Sequence, residues 1–345
     1  MEDIYFGGSK HIQGQLFLQS KGRLVNERSA VFLNDSLSEV VAAVIADFNL
    51  DGKADIFVGT GGADFYNKAE PLLDKVYISS ADTFLVEKIS SYFENASCVK
   101  HFDFDNDGDL DLFIGNESVS NDFGKIPRSC LLRNDNGKFI PIQQSVFDNL
   151  GMVTDALWDD FNDDGQIDLV VVGEWMEPTF LKNKNGVFER VEMLTGPLGG
   201  LWQSISVFDV NRDGKKDYVL GNWGMNSKFV ASRKSPMLMY YGDIDNNGKS
   251  ETIIAIAKQG KYYPIDGLDV LGTQLPGLRK KFTSYHLFAG KTIDEIFSKQ
   301  ELAGTVKFQV HELASGYLEN RNGKFEFVTL TDWIQTATVL AHAPR

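Results

Sequence analysis

The chain has 345 residues, with 34 Lys and Arg against 48 Asp and Glu, for a net charge of −14. An acidic balance argues against a nucleic-acid partner, because phosphate backbones are bound by Lys and Arg; the short run Arg279-Lys280-Lys281 reads as a solvated helix face. No stretch is apolar for the length that a membrane span needs, and the first residues lack the basic and apolar regions of a signal peptide.

In chain order, "EDIYFGG" (2–8) is the first predicted strand. It matches "ADIFVGT" (54–60), with Asp3 in the place of Asp55, so it reads as the second strand of a repeat. The apolar run "VVAAVIADF" (40–48) leads into a loop of Asp47, Asn49, Asp51, Gly52 and Asp55, and "DIFVG" follows as another strand. The same order returns with Asp103, Asp105, Asp107, Gly108 and Asp111 before "DLFIG", and with Asp160, Asn162, Asp164, Gly165 and Asp168 before "DLVVVG". It returns again with Asp209, Asn211, Asp213, Gly214 and Asp217 before "DYVLG", and with Asp243, Asp245, Asn247, Gly248 and Glu251. Three segments of the form L-x-N-x-N-G-x-F (132–139, 181–188, 318–325) predict hairpins, since Asn-Gly accepts the positive φ of a tight two-residue turn. Residues 274–303 are the one helical region. Leu278, Phe282 and Tyr285 have helical spacing, and Thr292-Ile293-Asp294-Glu295 has the form of a capping box. The last predicted element is a strand over "IQTATVLA" (334–341).

The loops point to a metal. Alternating oxygen-bearing side chains converge when a tight loop curls, and the glycine allows the sharp turn. Hard oxygen ligands in this number suit Ca²⁺ better than Mg²⁺, which keeps several waters. An EF-hand loop has an acid at position 12; here position 12 is Val58, Ile114, Val171, Leu220 or Ile254, so the ninth-position acid closes each loop and a strand follows. Five calcium sites are expected. Setting aside the sixteen acids at these positions leaves a balance of +2, so the acidity is concentrated in the loops.

The first aspartates are 56, 57, 49 and 34 residues apart, a period that belongs to repeat architectures. Strand, loop, strand, strand, hairpin turn and strand in about fifty residues make a propeller blade. The expectation is a single all-β domain over 1–345, a β-propeller of six or seven four-stranded blades with a short helical insert at 274–303. The six units lie near 3–32, 40–90, 97–146, 153–193, 202–232 and 236–330, within a piece of a longer protein. All metal loops then share one face. The opposite face would gather Trp175, Trp202 and Trp223 with Asn116, Glu174 and Asn222, where flat rings beside amides and acids suit a glycan or protein ligand. The competing reading is that these tryptophans wedge between blades. Cys98 and Cys130 leave a disulfide and two buried thiols both open.

Over nearly its whole length the chain resembles the FG-GAP/VCBS-repeat proteins, including the integrin α-subunit propeller. "GMVTDALWDDFNDDGQIDLVVVGEWM" (151–176) carries the closest similarity. "LPGLRKKFTSYHLFAGKTIDEIF" (275–297) resembles an insert of the bacterial cell-envelope group that is associated with ASPIC/UnbV regions; "TDWIQTATVLAHAPR" (331–345) does not fit it. The resemblance implies an extracellular calcium-stabilised adhesion or binding module without catalysis of its own. Weak extracellular sites fill at millimolar calcium, which places the protein at the cell surface or in the periplasm, with its export signal outside this chain. None of His11, His101, His286, His311 and His342 sits in a catalytic constellation, and no nucleophile motif is present. Two alternatives remain: a propeller enzyme of the polysaccharide lyase kind, and a purely structural part of a large envelope protein.

Overall fold

A computed structural model describes residues 3–27, 30–81, 83–89 and 92–341. Met1, Glu2 and His342 lie outside the described residues. The fold is all-β, with 44% strand and 11% helix, and its strands form antiparallel sheets. The chain divides into two compact units, one made of residues 1–121, 126–171 and 179–192, the other of 122–125, 172–178 and 193–345.

In the first unit, strands Ile4–Phe6, Gln15–Ser20 and Arg23–Glu27 form a three-stranded sheet. The next repeat gives four strands in sequence order, Glu39–Ala46, Asp55–Gly61, Asp74–Ser80 and Thr83–Ile89. The one after it gives Asn95–Phe102, Asp111–Ser118, Cys130–Asp135 and Lys138–Ile142. The second strands are buried along their length because both faces are covered; Asp55–Gly61 has no exposed residue. Between these two sheets the core holds Phe48, Phe57, Val76, Leu112, Ile114, Leu132 and Phe139. Phe48 stands edge-on to Phe139 at 5.2 Å. Cys98 pairs in register with Gly115 and Cys130 with Ile114, so a strand separates the two. Neither is in a disulfide and both are buried.

The Asn-Gly turns are where they were expected. Asn136 and Gly137, Asn185 and Gly186, and Asn322 and Gly323 all have positive φ, and Asp135 faces Lys138 across the first turn.

In the second unit the repeat order differs from the sequence reading. Strands Ser204–Phe208 and Asp217–Gly221 continue not into the next segment but into Gly316–Asn320 and Phe325–Thr329. The hairpin at 318–325 therefore completes the Asp209 repeat, and the proposed units 202–232 and 236–330 are interleaved. The Asp243 repeat is lodged inside it as a sheet of its own. There Met237–Gly242 lies between Glu251–Lys258 and Val306–Val310, with Lys261–Pro264 beyond.

The helical segment is also corrected. It begins earlier than 274 and consists of five short helices, Leu268–Gln274, Gly277–Lys281, Tyr285–Phe288, Ile293–Ile296 and Lys299–Ala303. Leu271, Leu278, Phe282, Phe288, Ile293 and Ile296 pack onto Leu238, Ile253 and Ala255 of this sheet. The capping box at Thr292 and Glu295 forms, and Ser298 and Glu301 make a second. The strand expected over 334–341 is not formed; a 3-10 helix spans Asp332–Thr336. Buried Gln335 holds it in place, accepting from Ser315 N–H and donating to Ser315 O and Leu330 O.

Candidate metal centre

All five loops share one hydrogen-bond pattern. The first aspartate accepts the backbone N–H groups four and five residues on. For Asp103 these are Asp107 at 3.1 Å and Gly108 at 3.0 Å. Asp47, Asp160, Asp209 and Asp243 repeat it at 2.8 to 3.1 Å. The glycine has positive φ in every loop, as does the residue two before it: Leu50, Asn106, Asp163, Arg212 and Asn246. That second left-handed position went unread in the sequence, since Leu and Arg seldom occupy it.

The ninth-position acid starts the next strand. Asp55, Asp111, Asp168 and Asp217 are fully buried and Glu251 nearly so. One oxygen accepts from the loop's second residue: Phe48 to Asp55 at 2.9 Å, Phe104 to Asp111 at 3.1 Å, Val210 to Asp217 at 3.0 Å, Ile244 to Glu251 at 2.9 Å. In the Asp160 loop, Asn162 Nδ2 donates to Asp168 instead, at 2.6 Å.

Two loops bring carboxylates together. Ligand atoms of Asp103, Asp105 and Asp111 lie within 4.8 Å of one another, as do those of Asp243, Asp245 and Glu251. Burial pushes Asp111 up to about 7, against the pull of its two backbone hydrogen bonds, and the charges of Asp105 and Asp107 push the same way. Burial, then the neighbouring carboxylates, also raises Asp105. Glu251 is raised by burial foremost. Asp105 Oδ1 is buried and has no hydrogen-bond partner. A buried carboxylate oxygen without a donor is costly, and a hard cation is the partner that three converging carboxylates suit. The residues present therefore fit calcium at this loop.

The other loops are less convergent. Lys182 Nζ sits 2.7 Å from Asp164 and holds its carboxyl below the usual range. Burial raises Asp168 to about 6. Asn211 Nδ2 donates to Asp213 at 3.3 Å and to Glu319 at 3.3 Å.

The six residues expected to gather as a ligand face divide between the units, Asn116 in the first and the rest in the second. Trp202 is fully buried, with its indole N–H donating to Leu198 O at 3.3 Å. Trp175 is buried at positive φ. These two rings pack rather than present a face. Asn222 is buried as well; its N–H donates to Ser315 Oγ, and its Nδ2 to Glu312 O and Ala314 O. Asn116 does the same work with Ser129 Oγ and Arg128 O. The repeated Gly-Asn at 115–116 and 221–222 was the available signal for that shared structural role. Trp223 is half-buried, and its indole N–H donates to Glu174 Oε1 at 3.0 Å, which also accepts from Gln203 at 2.8 Å. Burial raises the Glu174 carboxyl. Of the three rings, only Trp223 is partly open.

Antiparallel sheets whose strands are joined by acidic, glycine-bearing turn loops define an all-β repeat protein. A family model for the FG-GAP-like repeat matches residues 103–171 and 160–220, so the chain carries FG-GAP-like repeats. No curated protein matches it. Among solved structures, the V. cholerae biofilm matrix protein Bap1 is 17% identical over 66% of this chain and 37% of that one, with a TM-score of 0.33. The chain thus spans little more than a third of that protein.

Proposed function

We propose that the chain is a calcium-stabilised extracellular binding module, a single propeller domain over 1–345 whose blades are its antiparallel sheets, five of which carry a calcium loop between the first two strands of their repeat. The observation that carries this reading is the trio Asp103, Asp105 and Asp111, with Asp105 Oδ1 buried and unpartnered. Asp243, Asp245 and Glu251 offer the second converged site. A bound cation would neutralise carboxylates that otherwise repel one another and fix the turn from which the next strand departs. Sites of this kind fill at millimolar calcium, which supports a cell-surface or periplasmic setting. No helix among the described residues is long and apolar enough to cross a membrane.

A protein or glycan ligand would meet the chain away from the loops, and in the second unit Trp223 and Glu174 are the groups still open to it. A glycan and peptide binding screen, run with and without calcium, tests this part. Trp223→Ala should abolish binding of any hit while leaving the fold intact; hits that bind the variant equally well would remove Trp223 from the ligand site.

A further inference from the structure

Three buried carboxylates, Asp55, Asp111 and Asp168, close the Asp47, Asp103 and Asp160 loops of the first unit. Each accepts a backbone N–H from the third strand of its own sheet: Ser79 at 2.7 Å, Asn134 at 2.8 Å and Asn183 at 2.8 Å. The side chains of the two asparagines then reach into the preceding repeat. Asn134 Nδ2 donates to Phe48 O at 2.7 Å and Asn183 Nδ2 to Phe104 O at 3.0 Å, while Asn183 Nδ2 also donates to Ile167 O of its own repeat at 3.0 Å. Their Oδ1 atoms accept from Gly137 and Gly186 N–H, each at 2.8 Å, which fixes how the amides are turned. Phe48 and Phe104 are the second residues of their loops and donate their own N–H to Asp55 and Asp111.

These bonds join end to end. The path runs from Asp55 through Phe48 and Asn134 to Asp111, then through Phe104 and Asn183 to Asp168. Every link is buried: Phe48 and Asn134 are 0% exposed, Phe104 2% and Asn183 3%. Buried hydrogen-bond chains polarise one another, and a change of geometry at one member is felt by the next. The path ends at Ser79, whose short side chain stands where the asparagines stand in the next two sheets. Ser79 also shows that the fold accepts serine at this position.

We propose that Asn134 and Asn183 couple the three acidic loops of the first unit, so that these loops take up their cations cooperatively. The proposal rests on the calcium reading above. A cation drawing in Asp103 and Asp105 sets the peptide of Phe104, which lies between them in the chain. That peptide's carbonyl orients the Asn183 amide, and Asn183 holds Asp168 through its backbone N–H. The same relation joins Phe48, Asn134 and Asp111 one repeat earlier. Coupling between sites is reciprocal, so filling any one loop tightens its neighbours.

Calorimetric titration of the full, chelator-stripped chain with calcium chloride tests this on five proteins. They are the wild type, the double variant Asn134→Ser plus Asn183→Ser, Asn320→Ser, and Asp103→Asn in the first two backgrounds. Asn320 serves as the control. It closes its hairpin in the same way, through Gly323 N–H to its Oδ1 at 3.0 Å, and its N–H donates to Asp217, but its amide nitrogen is not engaged with a neighbouring loop. The wild type and Asn320→Ser should titrate with a Hill slope above one. The double variant should take up the same number of ions with a slope of one. Asp103→Asn should weaken the remaining first-unit sites by about 5-fold or more in the wild type, and leave them unchanged in the double variant. A wild-type slope of one, or a double variant that keeps the wild-type slope, overturns the coupling while leaving calcium binding intact. No heat of calcium uptake by any of the proteins overturns the calcium reading itself.

Discussion

Asp105 has one buried oxygen and Asp74 is buried whole, and the chain treats them differently. Asp105 stands among carboxylates that raise it, with one oxygen unpartnered, and a cation is the expected partner for that oxygen. Asp105→Asn should therefore respond in opposite senses under two conditions. In chelator the variant should be at least as stable as the wild type, because a charge repelled by Asp107 and Asp103 is gone. In excess calcium it should be less stable, by about 2.7 kcal/mol if the lost site was a hundredfold over its Kd. Chemical denaturation in both buffers checks the crossing. Lys182, 2.7 Å from Asp164, competes with a cation at the Asp160 loop, so Lys182→Gln should tighten calcium there several-fold by titration. Asp74 accepts from Thr60 N–H at 2.8 Å, and burial raises it to about 7. Its folded pKa lies above the unfolded value near 4, so the folded state binds the extra proton between those pH values. Stability is then greatest near pH 4 and falls as pH rises through 7. Asp74→Asn should flatten that slope and be more stable than the wild type at pH 8, by at most about 4 kcal/mol. Equal slopes in the two proteins would show that Asp74 is ionised throughout.

The turns and loops were legible in the sequence because their determinants are local. Asn136-Gly137 and Asn185-Gly186 specify their turns through φ alone, and the ninth-position acid binds back to its own loop within seven residues. Gly137 adds a packing demand: a Cβ there would lie 2.9 Å from Asn49 Cβ, whereas one at Gly186 would lie 3.4 Å from the Phe104 ring. Gly137→Ala should therefore cost more than Gly186→Ala, which loses about 1 kcal/mol from the φ change alone; thermal melts of the two variants decide. Elements settled by distant partners were not legible. The helical insert itself was legible through its capping box, but its earlier start and its division into five helices of four to seven residues were not, because these are settled by Leu271, Ile293 and Ile296 covering the sheet of Ile253. The strand Gly316–Asn320 pairs with Asp217–Gly221 almost a hundred residues earlier, and nothing near it in sequence announces that. The uneven spacing of the last loops, 49 and then 34 residues, was the only local trace of the inserted sheet. The burial of Trp175 and Trp202 was illegible for the same reason. Trp175 lies within the strand Asp168–Met176 and Trp202 follows Gly200–Leu201, and Trp202 is covered from elsewhere in the chain, standing edge-on to Phe327.

At the scale of the molecule, the net charge of −14 and the acidic loops are one fact. Sixteen of the 48 acids stand at loop positions, and the strands that follow start from carboxylates held inside the protein. A chain with a typical stability of roughly 5–15 kcal/mol would owe a large share of it to a few cations worth about 2–3 kcal/mol each. The central claim is that calcium is that missing charge. Its most direct test is calorimetric titration of the folded, chelator-stripped chain with calcium, followed by thermal melts of the same samples. The account predicts uptake of at least two ions at up to millimolar calcium, with a strong rise in melting temperature that magnesium reproduces only in small part. A folded protein that takes up no calcium at millimolar concentration, and melts at the same temperature with and without chelator, would contradict it and leave the loops as acidic turns.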